Sequence, residues 1–328
     1  MTLILAGDIG GTKCNLVLCR EEGTTLRPVF RRKLATRDYP GFESLVTDFQ
    51  RQAAASPDPA AHGKLDAAGF GVAGVVVDGR LTAENLPWVL DIAALTRALD
   101  LKRLLLLNDL MATALSLDKL APGDFVVLNQ GSPVANGTRG VIAAGTGLGE
   151  AILFWSGQRY QVAQAEGGHT DFAPRTEQQI ELLRYLLPRL PYVTWEEVVS
   201  GRGFRRIHEF LDSSVRHESF DGGDVASEIA RRGSDRSCPV CVDTLELWTE
   251  MYGTVTGIFA LQALALGGVY IAGGIAPKLL PLLKEPAFFR AFCGKSKLAS
   301  VLAQVPLSVV LNEDAPLWGA AYQTLAEL

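Results

Sequence analysis

The 328-residue chain has no basic tract: 31 lysines and arginines stand against 36 aspartates and glutamates, a net charge of -5. Phosphate-backbone binding needs a clustered positive face, and no helix-turn-helix pattern precedes the first apolar strand, so nucleic acid is not an expected partner. Cysteine is scarce as well. Five, an odd number and scattered, do not make a disulfide framework and point to a reducing cytoplasm. No basic n-region or cleavage site precedes residues 3–6, so no secretory leader is expected. The phosphate-loop pattern G-x-x-x-x-G-K-[ST] is missing, and the second of two glycine-rich segments lacks G-x-G-x-x-G and runs on into AILFW instead of a helix start. Charge is absent from residues 252–277. Gln262 and the glycine pairs at 267–268 and 273–274 divide that stretch, which reads as a core helix, TVTGIFALQALAL, a turn and a buried strand, GVYIAGG. No membrane association is expected.

What the chain has instead is one glycine-rich sentence written twice, LILAGDIGGTKCNLVLC near the start and GVIAAGTGLGEAILFW at 140–155. Each is an apolar run, a loop of small residues and a second apolar run, the pattern of a β-hairpin with a glycine tip. Such a tip offers backbone N–H groups that phosphate oxygens can approach without a Cβ in the way, and Thr12 and Thr146 add hydroxyls. Two facing copies suggest a nucleotide held between two halves of the chain. The length predicts two domains with a cleft, and 48% hydrophobic with 20% charged residues suits full cores.

The spacing predicts a hairpin over 3–19 with a third strand near 29–34, then a helix from about 39–41 carrying Phe42, Leu45, Val46 and Phe49 on one face. Residues 67–77 and 104–107 read as apolar strands, the second ending at Asn108 and Asp109, where the crevice of an open α/β sheet lies. Helices are expected at 110–117, 177–187 and 196–199, and at 317–328, which would return to pack on the N-terminal half. The polar stretch 220–241 suggests no chemistry.

Together these segments resemble the sugar kinases of the hexokinase and actin superfamily, most closely the bacterial glucokinases. The resemblance is carried by GDIGGTK at 7–13, LPWV at 86–89, LNDLMATALS at 107–116, AAGTGLG at 143–149, AEGGHTDFAP at 165–174, EEVVSGRG at 196–203 and YIAGGIAPK at 270–278. It implies a two-domain α/β fold of the actin-like ATPase (ribonuclease H-like) type with an interdomain cleft. The boundaries would be a small domain at 1–109 plus about 312–328 and a large one at 110–311. It further implies ATP-dependent phosphorylation of glucose to glucose 6-phosphate by a cytoplasmic enzyme, expected as a homodimer. A kinase for another hexose, and a non-catalytic sugar-binding regulator of the same fold, are the alternatives.

An alcohol is a poor nucleophile at neutral pH, so a positioned carboxylate must take its proton; by resemblance this is Asp109. As an acid ahead of an apolar helix, Asp109 also fits a plain helix cap. Sugar hydroxyls both donate and accept, so amides, carboxylates and an imidazole must converge on the ring. The resemblance supplies Asn85, Asn108, Asp109, Glu166, His169 and Glu196. On the nucleotide side it supplies Gly7, Asp8, Ile9, Gly10, Gly11, Thr12 and Lys13, then Thr146 and Gly147, with Gly273 and Gly274 leaving room for adenine and ribose. Asp8 is expected to hold Mg2+ through water. Glu166 and His169, three apart around two glycines, also suit a metal. For zinc only Cys238 and Cys241 offer themselves as further ligands, and the cysteine-rich motif of the ROK sugar kinases is absent. CPVC is therefore read as a helix start with two reduced thiols.

Overall fold

A computed structural model describes residues 2–82 and 86–328, and the chain divides into two compact units, Met1–Pro122 with Asn312–Leu328 and Gly123–Leu311. The first unit opens with an antiparallel meander, β1 (Leu3–Ile9), β2 (Lys13–Glu22) and β3 (Thr25–Ala35), followed by α1 (Phe42–Ala54) and β4 (Ala67–Val72). A small antiparallel sheet of β5 (Val75–Val77), β6 (Arg80–Thr82) and β7 (Leu90–Asp91) leads through α2 (Ile92–Ala98) to β8 (Arg103–Asn108) and α3 (Asp109–Ser116). The main sheet runs β3-β2-β1-β4-β8, with β4 parallel to both β1 and β8.

The second unit contains β9 (Phe125–Asn129), β10 (Arg139–Ala144), β11 (Leu148–Trp155) and β12 (Tyr160–Ala165). Then come α4 (Glu177–Leu186), α5 (Trp195–Val198), α6 (Gly201–Asp212), α7 (Val225–Ser234) and the 24-residue α8 (Pro239–Gln262). β13 (Gly268–Ala272), α9 (Leu280–Leu283), α10 (Pro286–Cys293), α11 (Ala299–Gln304) and β14 (Leu307–Val310) complete it, and α12 (Ala315–Ala326) belongs to the first unit. Its sheet runs β12-β11-β10-β13-β14-β9. An antiparallel meander extended by parallel strands is thus built in both units, and each glycine-rich tip joins the same two strands of its meander, β1 to β2 and β10 to β11. The repeated sentence folds into a repeated topology.

Because β1 is central and covered on both faces, its first residues are apolar without alternation: Leu3 to Ala6 are all fully buried. Leu3 and Leu5 meet Phe42, Leu45, Val46 and Phe49 of α1, whereas Ile4 and Ala6 meet Leu317 and Ala321 of α12. The sequence boundary at residue 109 is corrected here, because α3 falls in the first unit. A Cβ at Gly319 of α12 would overlap the Ala112 carbonyl of α3, so glycine lets the two helices pack at near backbone contact.

The uncharged stretch resolves into the C-terminal part of α8 and then β13, and among the described residues no helix is long and apolar enough to cross a membrane. α8 begins well before the expected helix. Its acids Asp243, Glu246 and Glu250 lie three and four apart on its less buried side, while Leu245, Trp248 and Tyr252 are buried.

Candidate active site

In the first unit the tip between β1 and β2 is closed by its own carbonyls. The Gly10 N–H donates to Lys13 O at 3.1 Å, Thr36 N–H donates to Thr12 O at 3.0 Å, and Thr36 Oγ1 donates to Gly10 O at 2.7 Å. Gly11, Thr12 and Lys13 remain exposed. Ile9 ends β1 in register with Cys14, and a Cβ at Gly7 would overlap Leu16. Asp8, Thr12 and Lys13 line a hollow of about 290 Å³ together with Asn15, Lys33 and Asp314.

Asp8 is pushed up to about 6, first by burial, then by the Asp109 and Asp314 carboxylates, with Lys13 opposing. Sequence reasoning missed Asp314, although NEDAP ahead of the closing apolar helix is a helix-start signal. Asp314 accepts from Asn15 Nδ2 at 2.9 Å and from Arg31 Nη2 at 2.5 Å. A half-buried carboxylate, Asp8, whose proton affinity is raised by burial and by the Asp109 and Asp314 carboxylates belongs to a donor set suited to a hard divalent cation, which prefers carboxylate oxygens and retains waters.

β8 ends at Asn108 and α3 starts at Asp109, and the division of labour between these neighbours is explicit. Asn108 is the cap: its Oδ1 accepts from Leu110 N at 2.9 Å and Met111 N at 3.2 Å, and its Nδ2 donates to Gly74 O at 3.2 Å. Asp109 sits in the first helical turn, where its Oδ1 accepts from Leu110 N at 2.8 Å. Burial raises its pKa, against that hydrogen bond. A carboxylate held at a helix start with its proton affinity raised is fitted to accept a proton, and the cap does not need it. Asn85 lies outside the described residues.

In the second unit the tip between β10 and β11 closes through Gly145 N–H to Gly147 O at 2.8 Å and is tied to α6 by Gly201 N–H to Gly145 O at 2.8 Å. Thr146 is exposed. Glu196, in the first turn of α5, accepts from Leu148 N at 2.9 Å through Oε2 and pairs with Arg202 at 2.5 Å through Oε1. A Cβ at Gly147 would overlap that carboxylate, so this glycine makes space for Glu196.

The turn carrying Glu166 and His169 is anchored to the same place. A Cβ at Gly168 would overlap the Leu148 carbonyl, Trp195 N–H donates to Thr170 O at 3.0 Å, and Asp171 bridges Thr194. Glu166 and His169 are both exposed, with imidazole Nε2 3.9 Å from carboxylate Oε2. Leu148 therefore gathers Glu166, His169 and Glu196 around one tip. Beneath lies a carboxylate that sequence reasoning passed over: buried Glu150 on β11, pushed up to about 7 by burial, against which a Cβ at Gly167 would clash. A lone acid immediately ahead of the apolar run AILFW was its signal.

Gly273 closes β13 with φ 86°, and a Cβ there would stand 2.6 Å from Ala144 O, so only glycine fits beside the second tip. At Gly274 a Cβ would meet nothing within 4 Å. Next in sequence, Ile275 lines a mainly apolar hollow of about 340 Å³ with Phe204, Ala226, Ala230 and Leu279, edged by Lys278.

The family model described as Glucokinase matches residues 5–327. A protein named glucokinase from a Nostoc species is 36% identical over 345 residues, covering 98% of each chain. The solved structure of a glucokinase from an Antarctic psychrotroph is 27% identical, superimposes with a TM-score of 0.86 and covers 99% of both chains. A ROK family glucokinase from Streptomyces griseus, solved with glucose and AMPPNP, shares the fold at a TM-score of 0.63 and 23% identity.

Proposed function

The chain belongs to the glucokinase family, a two-domain α/β enzyme fold of the actin-like ATPase type, and from that premise we propose that Asp109 is the general base that activates the 6-hydroxyl of glucose toward ATP. Family membership makes the activity ATP-dependent phosphorylation of glucose. The observation that carries the residue assignment is the separation of roles at the end of β8, where Asn108 caps the helix and leaves the half-buried Asp109 carboxylate for chemistry.

On this reading Asn108, Asp109, Glu166, His169 and Glu196 bind sugar hydroxyls, and Asn85 joins them. Supporting it, the imidazole and two carboxylates of the second unit converge on Leu148. Gly10, Gly11, Thr12 and Lys13 at one tip, and Thr146 and Gly147 at the other, take phosphate oxygens. Gly273 and Gly274 with the neighbouring apolar hollow take adenine and ribose, the flat face of the adenine lying against the mainly apolar walls. Asp8 would hold Mg2+, through water and beside Asp314, and the ion when bound neutralises phosphate charge. Asp109 accepts the hydroxyl proton as the oxygen attacks the γ-phosphorus and the bond from that phosphorus to the β-phosphate oxygen breaks, releasing ADP, so no alkoxide forms free in solution. The reading also carries a place in glycolysis, a cytoplasmic home, which five free cysteines suit, and a homodimer.

A coupled assay over glucose, mannose, fructose and N-acetylglucosamine, with ATP, ADP and polyphosphate as donors, tests it. The highest kcat/KM is expected for glucose with ATP. A different best hexose would move the assignment to another sugar kinase, and saturable glucose binding without turnover by any donor would make the protein a regulator.

A further inference from the structure

We propose that His208, His217, Cys238 and Cys241 form a structural zinc site in the second unit, separate from every residue assigned to sugar or nucleotide. The four side chains come from three places in sequence: His208 from α6, His217 from the connection after it, and the two cysteines from the start of α8. Each offers one ligand atom, and these atoms all lie within 4.8 Å of one another. In a tetrahedral site with Zn–S near 2.3 Å and Zn–N near 2.1 Å, ligand atoms stand roughly 3.4–3.8 Å apart. The cluster is within about 1 Å of that geometry, a difference that small side-chain rotations close.

A second observation points the same way. His208 has no solvent exposure, yet neither ring nitrogen has a hydrogen-bond partner. Leaving such a group unsatisfied costs about 1–3 kcal/mol, which a ligand to its nitrogen would offset. His217 Nε2 lies 3.5 Å from Cys241 Sγ. The Phe220 ring packs edge-on against both imidazoles, at 5.1 Å from His208 and 5.4 Å from His217, and walls the cluster with apolar surface.

The donor chemistry selects the metal class. Two sulfurs and two imidazole nitrogens are borderline-soft ligands that suit zinc, whereas Mg2+ and Ca2+ take oxygen. When both thiols lose their protons to solvent on binding, two thiolates neutralise the dication, so the buried site carries no net charge. Cys238 is the N-cap residue of α8 and Cys241 lies in its first turn, so the two thiols stand together at one helix start.

The consequence is structural. The ion would fasten α6 to the start of α8 across residues 213–237, the polar stretch that otherwise has two adjacent glycines at 222–223 and the short helix α7. Phe204 of α6 and Ala226 and Ala230 of α7 line the apolar hollow, so the same clamp sets the spacing of its wall.

The test uses the full chain purified under reducing conditions without chelator from zinc-supplemented culture. Elemental analysis is expected to find one zinc per chain, and exchange into Co2+ to give the visible bands of a tetrahedral ion with thiolate-to-cobalt charge transfer. His217→Ala, at a half-buried position, should lower zinc content at least tenfold with far-ultraviolet dichroism retained. Cys241→Ser should remove most of the charge-transfer absorbance. Wild-type protein that holds no zinc and gives no tetrahedral cobalt spectrum, or that isolates with a Cys238–Cys241 disulfide, would overturn the proposal.

Discussion

Replacing Asp109 with Asn separates base chemistry from helix capping, because the cap is Asn108 and the proposed base is Asp109. The cap belongs to Asn108, whose Oδ1 accepts from Leu110 N and Met111 N. The bond from Leu110 N to position 109 can be kept by the amide oxygen of the new side chain. Folding should therefore lose nothing, and a half-buried carboxylate whose pKa is raised by desolvation is removed. The Tm at pH 8 is expected to be equal to or above that of the wild type. General-base catalysis is worth roughly 10²- to 10⁴-fold, about 3–5 kcal/mol at 1.36 kcal/mol per decade. The variant should lose that much kcat while its KM for glucose stays within a few-fold. Sign matters in the pH profile. A base must be unprotonated, so wild-type kcat/KM should fall as pH drops through a pKa displaced above the usual carboxylate range, and that limb should vanish in the variant. Asp109 also raises Asp8, so the pKa near 6 at Asp8 should move down in Asp109→Asn, visible as a shifted carboxyl resonance. Turnover within about tenfold of wild type together with a lowered Tm would refute the reasoning and return Asp109 to a structural role.

Asn108→Ala should destabilise the protein by about 0.5–2 kcal/mol through the lost cap, read by chemical denaturation. Glu150 has a folded pKa of about 7 against 4.5 for the free group, so the folded state binds the extra proton and stability falls as pH rises from 4.5 through 7. Glu150→Gln should flatten that slope and raise stability at pH 8 by at most about 3 kcal/mol, with no gain near pH 4, as thermal scans at both values will show. Glu196→Gln should raise the KM for glucose by roughly tenfold and that for ATP less; the reverse split would confine Glu196 to bracing Leu148 and Arg202.

The strands and first helix were legible because their burial is periodic or complete. Phe42, Leu45, Val46 and Phe49 sit at helical spacing and all four are buried in one core. Leu104 to Leu107 read as a strand, and Asn108 and Asp109 stand where it ends. The start of α8 was not legible, since a search for uncharged residues stops at Glu250 although its acids share one less buried side. The membership of α3 was hidden for another reason. It depends on Gly319 meeting Ala112, a contact between residues far apart in sequence that no local pattern records. The same limit applies to metal ligands. CPVC was visible, but His208 and His217 come from a helix and a loop that only the fold brings to it.

The two glycine-rich tips share a topology but differ in charge, and that difference explains how one repeated sentence supports two tasks. At the first tip Asp8, the last residue but one of β1, feels Lys13, Asp109 and Asp314, and burial with the two neighbouring carboxylates favours a proton or a divalent cation at Asp8. At the second tip Thr146 stands among glycines, and the nearest carboxylate, Glu196, has one oxygen on the Leu148 N–H and the other on Arg202. A carboxylate committed to a backbone donor and a guanidinium is poorly placed to repel phosphate, so this tip is free to act through N–H groups and the threonine hydroxyl. On the proposed function, cation binding would fall to the first repeat, and exchanging Asp8 for Asn should weaken Mg2+ dependence in a way that no substitution at Thr146 reproduces.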